Sequence, residues 1–240
     1  MTVPDLDERL AGVRERVAAA ERAAGRPAGE VDVLLATKTQ PAELIAAAVL
    51  AGFALIGENR VQELVGKAPD LADALAGVPF ARHFIGHLQS NKVRSLLPLV
   101  DCVQTVHDAV LAARLATVAA QSDRVLDVFV QVNVSGEDSK SGVAPEGAVE
   151  LAKAVLAEPA LRLRGLMTIG LNSPDPAAVA GGYRLLRSLG AEVRALAGGS
   201  AAGELSMGMS GDLEIAIAEG ATMVRVGSAA FGVRPTAERH

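Results

Sequence analysis

A lysine stands at the end of the first strand-like run of the sequence. In VDVLLATKTQP, residues 31–41, five of the first six residues are apolar, and Lys38 comes shortly after them. A charged ammonium is costly at the end of a buried strand unless something uses it, because burial disfavours the charged form. A partly desolvated lysine amine is a nucleophile that forms a Schiff base with an aldehyde. The alternative is a lysine that reaches solvent or pairs with a carboxylate such as Glu58.

A second group of chemically suitable residues lies in LSMGMSGDLEIAIAEGATMVRVGSAAFG, residues 205–232. Ser206 is predicted to end a strand, and residues 207–210 are predicted to form a turn of small residues. Ser210 or Asp212 is then expected to cap the helix that follows. Serine hydroxyls and backbone N–H groups in such a turn are suited to binding an anion.

The same segment contains an arginine where turn chemistry does not require one. Arg225 stands within MVRVG, where the alternation of a strand predicts that its side chain points inward, and Gly227 and Ser228 form the next turn. Ordinary turn formation explains the serines and glycine one by one, but it does not explain the arginine. A nucleophilic lysine and a phosphate site indicate a phosphorylated aldehyde, for which pyridoxal phosphate is the obvious candidate. An enzyme of aldolase type, with Lys38 attacking another phosphorylated substrate, is an open alternative.

Strand-like and helix-like segments alternate along the chain. An amphipathic helix is predicted first, at about residues 5–24, with Asp5 as its N-cap and Gly25 at its end. Eight strand-like runs follow, at about 31–37, 53–57, 82–86, 101–106, 126–133, 163–169, 203–206 and 223–227. Helix-like segments follow the first seven runs, at about 41–51, 59–68, 90–98, 108–121, 145–157, 175–197 and 211–219. Eight such units without a dinucleotide fingerprint favour an α/β fold with a single (β/α)8 barrel over an open doubly wound sheet.

No linker divides the sequence, so residues 1–240 are predicted to form one domain. The barrel is expected at about 31–232, between the N-terminal helix and a short C-terminal tail. Residues that act in such barrels lie at the C-terminal ends of the strands and in the loops that follow. The polar, glycine and methionine residues predicted at this rim are Lys38, Glu58, Asn59, Gly86, His87, Gln104, Asn133, Met167, Thr168, Ser206 to Ser210, Arg225, Gly227 and Ser228.

Two further motifs contain histidines or a lysine, but they give weaker predictions of a functional site. His83 and His87 are four residues apart in RHFIGHLQSNK, yet they flank a strand-like segment, where that spacing does not produce a pair of metal ligands. No metal site is therefore expected, although His83 could line the barrel interior. Lys140 lies in SGEDSKSG, which is predicted to be a polar, solvated loop on the active rim.

Composition excludes several classes of function. The net charge is −5 and the charged residues of both signs are interleaved, so nucleic-acid binding has no electrostatic footprint. Apolar runs are too short for a membrane span, and the N-terminal MTVPDLDERL lacks the features of a signal peptide, so a cytoplasmic protein is expected. Cys102 is the only cysteine, which excludes an intrachain disulfide and a CxxC metal site.

Six motifs together resemble one family, the pyridoxal phosphate homeostasis proteins. They occur in the order ATKTQP, IGENRVQE, HFIGHLQSNK, VNVSGEDSKSG, GLMTIG and LSMGMSGDLEIAIAEGATMVRVGSAAFG, across about residues 31–232. Arg82 and Gln40 depart from the family pattern, in which an aromatic residue and a lysine are common, and neither lies at a predicted site position. The resemblance implies the barrel of the alanine racemase N-terminal domain, which is fold type III of pyridoxal phosphate (PLP) proteins.

The resemblance also implies a cofactor site for PLP. Lys38 would carry PLP as a Schiff base, and Arg225 would contact its phosphate or its pyridine nitrogen. Asn59 and Met167 would lie beside the ring, while three serines and a glycine would hold the phosphate. The residues that match the family's site are Lys38, Asn59, Met167, Ser206, Ser210, Arg225, Gly227 and Ser228.

The role implied by this resemblance is PLP homeostasis rather than an established catalytic activity. The protein would bind, buffer or deliver PLP, with PLP-dependent apoenzymes as recipients, and it is expected to be a monomer. An arginine at the pyridine nitrogen disfavours protonation there and weakens the ring as an electron sink, which suits a carrier. A PLP-dependent, racemase-like enzyme is the alternative.

Overall fold

The computed structural model describes residues 3–137, 140–198 and 202–232. In it, eight parallel strands pair in sequence order and β8 closes on β1, so the predicted (β/α)8 barrel is confirmed. The strands are β1 Asp32–Ala36, β2 Leu55–Glu58, β3 Ala81–Phe84, β4 Cys102–Val106, β5 Leu126–Gln131, β6 Leu161–Met167, β7 Glu204–Met209 and β8 Met223–Val226. The predicted C-terminal tail lies outside the described residues.

Helices form the outer layer around the strands. The α-helices are α1 Val3–Ala23, α2 Ala42–Leu50, α3 Val61–Ala74, α4 Val93–Leu96, α5 Ala109–Gln121, α6 Ala148–Leu156, α7 Pro176–Leu196, α8 Leu213–Ala218 and α9 Ser228–Phe231. Short 3-10 turns at Ser90–Lys92 and Leu97–Leu99 flank α4, so the predicted helix at 90–98 is broken into three pieces. None of the described helices is long and apolar enough to cross a bilayer.

Apolar side chains fill two layers of the molecule. Inside the barrel, Leu34, Phe129 and Met167 belong to one buried cluster. A larger cluster lies between the strands and the helices, and it includes the apolar face of α1 from Leu6 to Ala20. Because α1 packs against α8 and α9, the N-terminal helix supports the part of the barrel that carries the β7 and β8 loops.

Several boundaries differ from the sequence-based prediction. The helix α1 begins at Val3, so Asp5 lies inside it and is not its N-cap. The helix α3 continues past Pro69, which loses one backbone hydrogen bond, because Leu71 in its last turn is fully buried. β7 extends to Met209, so the turn predicted at residues 207–210 is wrong. Gly208 is a strand residue with φ of 91°, and a Cβ on it would lie 2.4 Å from Ala216, so the glycine allows α8 to pack closely. A short helix, α9, follows β8 where only a tail is predicted.

Candidate functional site

A cavity of about 580 Å³ lies at the C-terminal ends of the strands. This size falls within the ordinary range for small-molecule sites, roughly 300–1,000 Å³. Six of the eight predicted site residues line it. One of them, Arg225, stands on β8, and the others follow β1, β2, β7 and β8; the six are Lys38, Asn59, Ser210, Arg225, Gly227 and Ser228.

The loop that carries Lys38 is held by α3. Thr39 has φ of 65°, a left-handed conformation that a β-branched residue rarely adopts. Its backbone N–H donates to Glu63 Oε2 at 2.8 Å, and Lys67 Nζ donates to the carbonyl of Thr37 at 3.1 Å. Two side chains of one helix therefore fix the backbone on both sides of Lys38.

A buried ion pair completes this support. Glu58 is 1% exposed, and its Oε1 accepts from Lys67 Nζ at 2.9 Å and from the Thr37 hydroxyl at 2.7 Å. The carboxylate considered as a partner for Lys38 is thus bound by Lys67 and Thr37. Because the pair is buried, removal of either charge would leave the other in a poorly solvated place.

Asn59 reaches the cavity because a glycine stands next to it. A Cβ on Gly86 would lie 2.0 Å from the Asn59 carbonyl oxygen, so only glycine allows the end of β3 to approach this closely. The side-chain Oδ1 of Asn59 is buried and has no hydrogen-bond partner in the part of the chain that the structure describes. An orphaned polar atom at the wall of a cavity is suited to contacting a polar group of a ligand.

Ser210 ties the β7 loop to the β8 turn. Its Oγ accepts from the backbone N–H groups of Gly227 and Ala229, both at 3.2 Å. Asp212 occupies the N-cap position of α8, as predicted, but its side chain makes no capping bond to that helix and instead accepts from the Met209 N–H and from the Tyr183 hydroxyl. The turn that is predicted to bind an anion is therefore already ordered by a serine oxygen.

Arg225 points into the barrel, as strand alternation predicts. It is 5% exposed, and its guanidinium donates to the Ser206 carbonyl at 2.7 Å, the Ser206 hydroxyl at 2.8 Å and the Thr168 carbonyl at 2.6 Å. A guanidinium has five N–H donors, so these three bonds do not exhaust it. Burial lowers the pKa of Arg225 to about 10, and the side chain is still a cation at neutral pH.

The remaining two predicted site residues are not brought to the cavity lining. Ser206 is fully buried, and its hydroxyl bonds Arg225 and Gln104. Met167 is fully buried in the interior apolar cluster. Their predicted contact with a cofactor therefore stays a prediction.

The placement of three other residues also differs in part from expectation. Lys140 is only 16% exposed because its Nζ donates to Glu137 and to the carbonyl of Gly170, so the prediction of a solvated loop charge is wrong. His83 does line the barrel interior, where its Nδ1 is 2.8 Å from Gln104. His87 instead lies beside the ring of His107.

Sequence reasoning missed the apolar walls of the cavity. Ile85, Ile169 and Phe231 line it together with the predicted polar residues. Apolar side chains suit contact with an aromatic ring, while Lys38, Arg225 and the serines suit an aldehyde and a phosphate. The residues present therefore fit PLP. The motifs HFIG, TIG and AAFG contain these apolar residues, but apolar residues at strand ends are too common to be singled out.

Known proteins with the same fold and site define the class. Residues 9–235 match the family model described as the N-terminal domain of alanine racemase. A pyridoxal phosphate homeostasis protein of Pseudomonas aeruginosa is 44% identical over 95% of this chain and 95% of its own length.

Two solved structures agree with this assignment. A protein of unknown function from Bifidobacterium adolescentis has a TM-score of 0.88 and 40% identity, covering 95% of both chains. PipY of Synechococcus elongatus, solved with PLP bound, has a TM-score of 0.81 and 31% identity, covering 95% of this chain and all of that one. The chain belongs to the family of pyridoxal phosphate homeostasis proteins.

Proposed function

We propose that this protein binds PLP as a Schiff base on Lys38 and buffers or delivers it to PLP-dependent apoenzymes, without substantial turnover. We also propose that it does so as a monomer in the cytoplasm. The observation that carries the proposal is the meeting, in one cavity, of Lys38 with Arg225, Ser210 and Ser228. The lysine amine matches the aldehyde of this cofactor, the two hydroxyls match its phosphate, and the buried cation matches its pyridine nitrogen.

Different residues around the cavity would bind different parts of the cofactor. Ser210 and Ser228 would bind the phosphate through their hydroxyl groups, which can donate to an anion, and the turn at Gly227, tied to Ser210, would position Ser228 beside it. Asn59 would satisfy its orphaned Oδ1 against a polar group beside the ring. Bound PLP supplies an aldehyde for imine formation and a ring that withdraws electrons.

Arg225 supports a carrier rather than an efficient enzyme. Its bonds to Ser206 and Thr168 hold it deep in the barrel, and we assign it to the pyridine nitrogen. A cation there disfavours a proton on that nitrogen, so the ring is a weak electron sink. The side chain thereby binds the ring while limiting the chemistry that the ring can perform.

The decisive experiment is an absorption spectrum of the purified protein before and after PLP is added. A visible band that borohydride removes, with the reduced adduct found on Lys38 by peptide mass mapping, is the expected result. Lys38→Ala should lose the band and the adduct while retaining weaker binding. An adduct on Lys67, Lys92, Lys140 or Lys153 would overturn the assignment.

A second measurement separates the carrier from the racemase-like alternative. Two-base racemisation needs an acid or base on each face of the substrate, and Lys38 supplies one. Tyr183, the only tyrosine in the sequence, is fully buried in α7 and donates to Asp212. Chiral chromatography of alanine and serine with the PLP-loaded protein should show no turnover on the order of 1 s⁻¹. Such turnover, lost in Lys38→Ala, would make the protein an enzyme.

Delivery and oligomeric state require tests of their own. PLP-loaded protein should restore the activity of a PLP-dependent apoenzyme faster than free PLP does, when the free PLP is supplied at the concentration that the loaded protein releases spontaneously. Light scattering after size-exclusion chromatography should give a mass close to 24.6 kDa. A mass near twice that value would contradict the monomer.

A further inference from the structure

A line of polar side chains crosses the interior of the barrel behind Arg225. Arg225 Nη1 lies 2.8 Å from Ser206 Oγ, which lies 2.7 Å from Gln104 Oε1, and Gln104 Nε2 lies 2.8 Å from His83 Nδ1. The four residues stand on β8, β7, β4 and β3. Gln104 and Ser206 are fully buried, so none of these bonds is replaced by bonds to bulk water.

The direction of each bond follows from the chemistry of its partners. A guanidinium only donates, so the Ser206 oxygen accepts from Arg225 and its single proton goes to the Gln104 carbonyl oxygen. The Gln104 amide nitrogen then donates to Nδ1 of His83, and the proton of the neutral ring lies on Nε2. The reverse orientation of the amide would leave the Ser206 proton without an acceptor among its described neighbours.

The far end of the line is kept neutral by its surroundings. Burial lowers the pKa of His83 to about 4, although the charges of Asp101 and Asp127 act in the opposite direction and that of Arg164 reinforces the shift. A neutral His83 keeps the lone pair on Nδ1 that Gln104 requires. Protonation of Nδ1 would set two donors against each other.

We infer that Ser206, Gln104 and His83 form a positioning chain that holds the Arg225 guanidinium in one orientation toward the cavity. The expected effect on PLP affinity rests on the proposed function, because it requires that the oriented guanidinium of Arg225 contacts the ring of bound PLP. Ser206 thus acts on the ligand through Arg225. His83 and Gln104, which have no place among the cavity-lining residues, become determinants of affinity.

Substitutions of Gln104 test the chain. Gln104→Leu cannot accept from Ser206 or donate to His83, whereas Gln104→Glu keeps the acceptor for Ser206. The matched control is Gln131→Leu, because Gln131 is also a buried barrel glutamine, with its Nε2 bonded to the carbonyl of Ser141. Ser206→Ala is a smaller second substitution that breaks the same chain should Gln104→Leu fail to fold.

The first readout uses the protein without PLP. In nitrogen-15 NMR, the wild type should give resolved, slowly rotating guanidinium signals for Arg225 and the Nε2–H tautomer of His83. Gln104→Leu and Ser206→Ala should average the Arg225 signals, and Gln104→Glu and Gln131→Leu should preserve them. Gln104→Glu should also raise the pKa of His83, because a carboxylate beside Nδ1 favours the charged ring.

The second readout is PLP affinity, followed by the absorption band. We expect Gln104→Leu to bind PLP about tenfold more weakly, the loss of roughly one oriented charge-assisted bond, and Gln131→Leu to bind as the wild type does. Unchanged Arg225 signals in both chain-breaking variants would overturn the inference, whatever happens to affinity. If Arg225 responds as expected but the wild type does not bind PLP, the chain stands and the proposed function fails.

Discussion

The arginines at the two ends of the barrel have different kinds of partners. At the N-terminal end, Arg164 forms ion pairs with Asp127 and Glu204, and Arg162 also pairs with Asp127. These groups are only partly buried, so water shares in their solvation. Both of these guanidinium groups therefore have a carboxylate partner.

At the C-terminal end, the buried Arg225 directs its hydrogen bonds to neutral oxygens of Ser206 and Thr168. Those bonds use some of its N–H donors and leave others, together with its positive charge, for a ligand. Arginine therefore has two roles here. At the N-terminal end its charge is paired with carboxylates, and at the C-terminal end the charge of Arg225 is available to a ligand. This division agrees with the general separation of stability and function between the two faces of such barrels.

The largest expected effect concerns a rim cation that does have a carboxylate partner. Lys67→Met leaves the carboxylate of Glu58 buried without its counter-ion, and we expect the free energy of unfolding to fall by about 3–5 kcal/mol. Chemical denaturation measures this fall in the free energy of unfolding. Lys153→Met is the matched control, since its pair with Glu150 is largely exposed and should contribute about 0–1 kcal/mol. Similar losses in the two variants would show that Lys67 is effectively solvated.

The next effect tests the contrast between the two ends directly. Arg225→Gln should weaken PLP retention on the order of 10- to 100-fold, because charge-assisted hydrogen bonds contribute roughly 1.5–3 kcal/mol each. Arg164→Gln, at the opposite end, should lower stability without changing the PLP dissociation constant. Lys140→Gln should have an intermediate or small effect, since Lys140 bonds Glu137 and Gly170.

Equilibrium dialysis of these three variants, with melting temperatures as a check on folding, provides the measurement. An equal loss of PLP in Arg225→Gln and Lys140→Gln would mean that Arg225 does not contact the ligand. A loss in Arg164→Gln would mean that the two ends are coupled.

The smallest effect is a pH dependence at the N-terminal end. Burial raises the pKa of Glu204 above its ordinary value of 4.5, and Arg164 only partly opposes this. The folded state therefore holds the proton more tightly than the unfolded chain, so this contribution to stability is present below pH 4.5 and is lost as the pH rises through the folded pKa.

Glu204→Gln should remove that contribution. Unfolding free energies of the two proteins, measured by denaturation between pH 4 and pH 8, should show the wild type losing stability relative to the variant as the pH rises. A difference that stays constant with pH would contradict the raised pKa.

Sequence patterns predicted the parts of the molecule that local rules control. Alternating apolar runs identified the eight strands, and strand alternation placed Arg225 in the interior. Lys38 follows from the same rule, because its position after an apolar run puts it at the rim. These features depend on periodicity, which a sequence displays directly.

The errors have a common physical origin in contacts between distant segments. Lys140 is held by Gly170, thirty residues away, and Ser210 by the turn after β8. Helix α3 continues through Pro69 because burial of Leu71 outweighs one lost bond. No local pattern reports such partners, so the orientation of a polar side chain in a loop had to come from the structure.

The two hydrogen bonds that Ser210 accepts from the β8 turn have a consequence for the rate of ligand exchange. Its hydroxyl oxygen already accepts from the amides of Gly227 and Ala229, so these two donors keep a partner when a ligand departs. A buried donor that loses its partner costs free energy, so the two bonds lower the cost of emptying this turn. If PLP is held by the proposed Schiff base on Lys38, hydrolysis of that bond, rather than a rearrangement of this turn, would then set the residence time of PLP.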